Sequence, residues 1–284
     1  MSQDPTIRSP FSNIDQMQPG FIDSMLAALD GMAAHPEIQR VRRAAQRALR
    51  PMPAQRLLDA GCGGGEVART IAAKVAPVGE VIALDFSTAA LAVAVQRHDG
   101  SAVHYVEGDV AALDFPDSSF DGVRCERVLQ HVTDPDRAIA ELVRVTRPGG
   151  RICLIDTDWE SMAVDGLPEE LVAAMKGHLY NQVLCHPSMG RTLRRRLVRA
   201  GATEIEATPV TCCFADPGAT TSVLPMFDAR ISAATGMIPD GIRGEWFAAV
   251  DTAAARNEFL ATLTIWVATG RRSYTPSHAA EESL

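Results

Sequence analysis

The 284-residue chain carries 35 acidic against 27 basic residues, a net charge of −8, with 46% hydrophobic and 22% charged residues. That composition suits a folded globular protein built as one large domain or one domain with an elaborated cap. The acidic balance argues against tight binding of a nucleic-acid backbone, which needs many Lys and Arg to release counterions, and favours a small-molecule partner. No apolar run approaches the ~20 residues needed to cross a bilayer, and the polar N-terminus, with Asp4, Pro5, Pro10 and Asp15, does not read as a secretion signal. A cytoplasmic location is expected, with Cys62, Cys125, Cys153, Cys185, Cys212 and Cys213 reduced. No C-x-x-C pair signals zinc, and no metal is expected.

Residues 1–18 read as loosely ordered. From Phe21 to Leu49 apolar residues recur at three- and four-residue spacing, a helical pattern that Pro36 splits in two. Pro51 and Pro53 close this arm. Strands and helices then alternate: a strand at Gln55–Ala60, a helix at Glu66–Val75, a strand at Glu80–Asp85, and a helix at Ser87–Arg97 with Ser87 as N-cap. A third strand at Val103–Glu107, a fourth in "FDGVRCE" from Phe120, a helix from Asp134 to Val145 and a fifth strand at Arg151–Asp156 continue the rhythm. It predicts an α/β three-layer sandwich with a mostly parallel sheet. Further on, residues 167–183 read as helix, Ser188–Ala200 as a basic helix, Glu204–Phe214 as a strand, 218–257 as mostly helical and 258–272 as containing a last strand; the end is a frayed tail. The chain thus divides into three regions: an N-terminal helical arm or lid (1–50), a nucleoside-binding core (51–160), and the rest of the core with helical cap insertions near 160–190 and 218–257 (161–284).

The glycines of "LLDAGCGGG" stand between the first strand and its helix, at the carboxyl end of the sheet, where open α/β sheets bind ligands. Gly61, Gly63 and Gly65 give G-x-G-x-G, and Glu66 stands where a dinucleotide fingerprint has its third glycine. A carboxylate there repels a pyrophosphate. Asp85, about twenty residues on, suits ribose hydroxyls, and Asp109 in "EGDV" suits an adenine amino group. A ring of acids without phosphate contacts fits a cationic nucleoside.

"LLDAGCGGGEVA", "VIALDFS", "VEGDVAALDFPDSSFDGV", "VLQHVTDPDRAIAELVRVTRPGG" and "RICLID", in that order over residues 55–156, resemble the class I S-adenosylmethionine-dependent methyltransferases, in particular the small-molecule branch of quinone and natural-product tailoring enzymes. The resemblance implies a seven-stranded sheet whose last, antiparallel strand is inserted beside the fifth. It implies S-adenosyl-L-methionine as cofactor. It assigns Asp59 to orient the loop, Gly61, Cys62 and Gly63 to face the methionine part, Asp85 the ribose, Phe86 the adenine face, Asp109 and Val110 the adenine edge, and Cys125 and Glu126 the methionine end. Glu126 with Arg127 departs from the small or amide residue frequent there. His131 and Asp156, at the ends of the fourth and fifth strands, are the candidate catalytic pair, a base oriented by a carboxylate for a hydroxyl acceptor; the segment has Gln130 where the family often has a first His. Trp159 is a candidate acceptor wall and His186 a further candidate base. Met226, Phe227, Met237, Trp246 and Phe247 supply adaptable apolar surface to the cap, more often as ordinary helix packing than as specific contacts.

The expected activity is O- or C-methylation of a small, apolar, natural-product-like acceptor, without membrane or nucleic-acid partner; a homodimer is left open. Two other readings remain at this point: a nicotinamide-dependent oxidoreductase, against which Glu66 speaks, and a non-catalytic module that keeps the cofactor pocket.

Overall fold

The structure is a computed structural model and describes residues 30–274. The loose segment expected at 1–18, the start of the first helix and the C-terminal tail lie outside the described residues. A helical turn at 30–34 leads through His35 into α1 (Pro36–Leu49), so Pro36 does divide the arm. Proline suits the first helical position, where its missing N–H is unpaired in any helix. Ile38, Val41, Ala45 and Leu49 fall on one stripe of α1 and are buried.

The next elements are β1 (Arg56–Ala60), α2 (Glu66–Val75), β2 (Glu80–Asp85), α3 (Thr88–Gln96), β3 (Val103–Glu107), β4 (Phe120–Glu126) and α4 (Pro135–Val145). Ser87 caps α3, its hydroxyl accepting from the Ala90 N–H, and the Asp134 carboxylate caps α4 through the Arg137 N–H. The second half comprises β5 (Thr146–Asp165), α5 (Glu169–His178), α6 (Met189–Arg199), β6 (Ala202–Phe214), the single turn α7 (Pro217–Thr220), α8 (Ala229–Thr235), α9 (Arg243–Ala255) and β7 (Leu260–Arg272). The seven strands lie in the order β3-β2-β1-β4-β5-β7-β6, and only β7 runs against its neighbours.

Strand residues alternate between two apolar layers, as a sheet covered on both sides requires. One layer holds Leu57, Val81, Cys153 and Ile155 with α1, α2 and the helical segments 167–184 and 223–253. The other holds Leu58, Ile82, Val123 and Leu154 with α4 and α6. Cys212 is buried and its neighbour Cys213 exposed, which is the same alternation on β6.

One expectation is corrected. The fifth strand is not confined to 151–156. It starts at Thr146 and runs to Asp165, because antiparallel β7 supplies hydrogen-bond partners beyond the point where β4 stops: Thr157 pairs with Ile265, Asp158 with Thr264 and, after a bulge, Ala163 with Thr262. The cap therefore does not begin near 160. Its apolar residues are in ordinary helix packing, with Phe247 half-buried. Met226, Met237 and Trp246 are fully buried and Phe227 nearly so. The Trp246 indole donates to the Met226 carbonyl at 3.0 Å, and Phe227 packs between Trp246 and Phe259, with ring centroids 5.5 and 5.1 Å away. These helices are part of the sheet's own core.

Candidate active site

The turn after β1 is hooked onto the end of β2. The N–H groups of Gly61 and Cys62 both donate to the Leu84 carbonyl, at 2.7 and 3.0 Å, and the Gly63 N–H donates to Asp85 Oδ2 at 2.8 Å. These donors are satisfied within the protein. What the turn offers a ligand is bare main chain. Gly61, at φ +77°, could carry no Cβ without striking Val128, whereas Gly63, at φ +51°, faces open space with no atom within 4 Å of where a Cβ would stand. Cys62 is no nucleophile: burial, with Asp59 and Asp85 nearby, raises its thiol far above the usual range.

Asp85 sits beside that open space. Its other oxygen accepts from the Ser87 N–H at 3.0 Å, and burial raises its pKa against the pull of these hydrogen bonds. Each carboxylate oxygen keeps a second lone pair for a hydroxyl. The Phe86 ring is 47% exposed, unusual for so large an apolar group. Asp109 is exposed, one oxygen holding the Ala111 N–H at 2.8 Å, while Val110 is buried in the apolar layer with α4. Asp59 is buried with Oδ1 bound to Arg124 at 2.7 Å and Oδ2 without a hydrogen-bond partner among the described residues. An open cradle at Gly63, a carboxylate with lone pairs to spare beside it and an exposed ring together fit an adenosine derivative. Asp85 would meet its ribose and Phe86 its base.

Cys125 and Glu126 do not line one wall, because successive strand residues face opposite ways. Cys125 lies in the apolar layer with Leu58 and Ile82, and Glu126 enters a buried ionic cluster on the other face. There Arg124, opposite Asp59 in the β1–β4 register, bridges Asp59 and Glu126. Arg42 of α1 reaches both Glu126, at 3.3 Å, and Glu66, at 2.7 Å. Glu66 is thus half-exposed and met by a cation, not the bare repeller its position in the sequence suggested. Arg42 and Arg124 went unread in the sequence; the alternation of charged and apolar residues in "VRCER" was the available signal.

At the ends of β4 and β5 the expected imidazole–carboxylate pair takes another form. Asp156 accepts from the backbone N–H groups of Thr157, at 2.8 Å, and Gln130, at 3.2 Å, and burial lifts its pKa to about 7. It holds the turn that carries His131 through main chain. The charges bearing on the His131 ring are those of Arg127 and His186; with burial they bring it down to about 3, so it is neutral at physiological pH. His186 is bound to the Val132 carbonyl at 2.9 Å. Gln130, unassigned from sequence, accepts from the Trp159 indole at 2.6 Å, and the Trp159 carbonyl accepts from Tyr180 at 2.6 Å. Tyr180 belongs to a π-helical turn, Leu179–Val183, an irregularity frequent at functional sites. Gly190 lets α6 press on the β5 backbone, since a Cβ there would come within 2.5 Å of the Asp156 carbonyl. Among the described residues no cluster of three or more His, Cys, Asp or Glu could hold a metal, and no helix is long and apolar enough to cross a membrane.

Residues 58–154 match the family model described as a methyltransferase domain. A 37.1 kDa protein in a transposon of Streptomyces fradiae is 35% identical over 222 residues, 78% of this chain and 63% of that protein. An uncharacterized methyltransferase of Schizosaccharomyces pombe is 32% identical over 190 residues, 62% of this chain and 67% of that protein. The chain thus spans about two thirds or less of these relatives' length. Among solved structures, the [4+2]-cyclase SpnF has the same fold, with a TM-score of 0.53 and 24% identity, over 84% of this chain and 82% of that one. With the site geometry, the domain match and the S. pombe relative in agreement, the chain belongs to the class I S-adenosylmethionine-dependent methyltransferase family.

Proposed function

We propose that the protein transfers the methyl group of S-adenosylmethionine to oxygen or carbon of a small, largely apolar acceptor. The observation that carries this reading is the pairing of an open main-chain cradle at Gly63 with Asp85, whose carboxylate accepts from the Gly63 N–H at 2.8 Å and keeps lone pairs for a hydroxyl. When bound, S-adenosylmethionine would supply an electrophilic methyl group on a cationic sulfur for an electron pair of the acceptor. The protein's part is mostly placement, since holding two reactants in attack geometry can supply on the order of 7–11 kcal/mol.

The residues divide that work. Asp59, Gly61, Cys62, Gly63, Asp85, Phe86, Asp109, Val110 and Glu126 form the cofactor side, Cys62 and Val110 by packing. His131 and Asp156 form the acceptor side. A base whose pKa is near 3 is poorly matched to proton removal at neutral pH. His131 therefore acts as a neutral hydrogen-bonding group toward the acceptor, and Asp156 as the positioning residue that fixes its turn. Trp159, buried at the β5 extension and held by Gln130 and Tyr180, is the wall for an apolar acceptor.

Calorimetric titration with S-adenosylhomocysteine tests the reading. Wild-type protein should bind it, and Asp85→Asn should bind it about 10- to 100-fold more weakly, as loss of charge-assisted hydrogen bonds implies. No heat with wild type, or tighter binding of a pyrophosphate-bearing nicotinamide coenzyme, would overturn it. SpnF, named a cyclase on this fold, is reason to measure methyl transfer as well as binding.

A further inference from the structure

One cation beside the cradle is left over. Arg127 follows β4 at φ +55°, a left-handed conformation uncommon for a long side chain, held by its N–H on the Ile155 carbonyl at 2.7 Å. Its side chain is 17% exposed and runs under Met32 of the arm, in contact with the thioether sulfur. The neighbouring cations have carboxylates at hydrogen-bond distance: Arg124 has Asp59, and Arg42 has Glu66. Among the described residues Arg127 has only Glu126 Oε1, at 3.6 Å, and that carboxylate already serves Arg124 and Arg42. Its buried Nε finds no acceptor among them. Burial, reinforced by Arg42 and Arg124, brings its pKa down to about 10, still charged at neutral pH.

A guanidinium taken out of water without a matched acceptor is costly. Its planar fork is also the side-chain group best shaped for a carboxylate or other oxyanion. Arg127 lies on the acceptor side: its N–H donates to the carbonyl of Ile155, the residue before Asp156, and His131 follows it four residues on. Asp156 forms no ion pair with it; its oxygens accept from the N–H groups of Gln130 and Thr157.

We propose that Arg127 selects the acceptor by receiving an acidic oxygen on it, a carboxylate or an ionised hydroxyl next to the atom that is methylated. This rests on the methyltransferase reading. It narrows the substrate class from apolar molecules in general to apolar molecules bearing one anionic group. For an ionised hydroxyl, the guanidinium would also lower the energy needed to shed the proton before attack, a task for which His131 is poorly suited.

The cofactor's own carboxylate is the other source of the same chemistry, and the experiment separates the two. S-adenosylhomocysteine is titrated into wild type, Arg127→Gln and Arg127→Lys. Each protein saturated with it is then titrated with 2-naphthoate and with the ring-matched neutral 2-naphthamide. Wild type should prefer the acid by about tenfold or more; Arg127→Gln should lose the preference and Arg127→Lys keep part of it, while affinity for S-adenosylhomocysteine stays within about threefold. Thermal melting of the variants confirms that they are folded. A fall in S-adenosylhomocysteine affinity of about tenfold or more in Arg127→Gln, with no acid preference in wild type, would assign the guanidinium to the cofactor carboxylate and overturn the proposal. So would failure of wild type to bind 2-naphthoate. Failure of wild type to bind S-adenosylhomocysteine would instead sink the methyltransferase reading.

Discussion

The half of the sheet built from β1 to β4 and the half built from β5 to β7 reach the active site differently. In the first, strands of five to seven residues run parallel and stop together, so the site is made of the turns at their carboxyl ends: the glycine turn after Ala60, Asp85 and Phe86 after Leu84, Asp109 after Glu107. In the second, β5 is 20 residues long, and β7 runs against it past the end of β4. The antiparallel ladder carries β5 past the ends of the parallel strands, with Asp158 on the ladder and Trp159 and Glu160 in the bulge that follows it. A parallel edge makes turns that bind a standard ligand with main chain and acids; an antiparallel extension makes a surface whose side chains can vary with the acceptor.

That contrast is broken most severely at Trp246. If the helices around Trp246 are core rather than a hinged lid, Trp246→Ala should cost about 3–5 kcal/mol of stability, as truncation of a large buried aromatic does. Urea denaturation would read this loss, and affinity for S-adenosylhomocysteine should stay unchanged in the folded variant. An equal loss of cofactor affinity would show that the two halves are one unit.

The same contrast explains what could be read from the residues alone. Bounds of α2, α3, β2 and β3 follow from local signals: apolar period, the Ser87 cap of α3, glycines and prolines at turns. The insertion of a reversed last strand beside the fifth was implied by the resemblance across 55–156. The β5 extension was not legible, because "DTDWESMAVD" is strand only by virtue of β7, about a hundred residues away in sequence. The ionic cluster was missed for a related reason. Arg42, Glu66, Arg124 and Glu126 come from three separate elements, and each alone reads as a solvated charge. Around Trp246 and Met226 helical periodicity reports that a face is apolar, not what it packs against.

A smaller effect sharpens the comparison at the seam between the halves. Asp156 has a folded pKa of about 7, raised by burial above the ordinary carboxylate value near 3.8. Between those values the folded state holds more protons than the unfolded state, so its contribution to stability is complete below about pH 4 and is lost as pH rises toward 7. The stability difference between wild type and Asp156→Asn should therefore move against wild type by at most about 1.4 kcal/mol per pH unit over that window, and level off above it. Urea midpoints measured from pH 4 to 8 would show this; a difference flat with pH would mean that Asp156 is ionised throughout, and that His131's turn is held by a full carboxylate charge.

The smallest effect isolates the wall itself. Tyr180 touches it through one bond, its hydroxyl to the Trp159 carbonyl at 2.6 Å, and Trp159 in turn reaches Gln130 and the turn on Asp156. Tyr180→Phe keeps the ring and deletes the bond, for an expected loss of about 0.5–1.5 kcal/mol in stability. If Trp159 is the acceptor wall, the consequence is positional. The affinity for S-adenosylhomocysteine should hold, while the affinity of an aromatic probe such as 2-naphthoate for the cofactor-loaded protein should fall several-fold, roughly what a loosened apolar wall costs. The π-helical turn is then an element with a task, since it turns the Tyr180 hydroxyl onto a strand extension that no parallel neighbour supports. Equal affinities for both ligands in Tyr180→Phe would leave Trp159 as packing and move the acceptor's apolar contact elsewhere on the β5–β7 ladder.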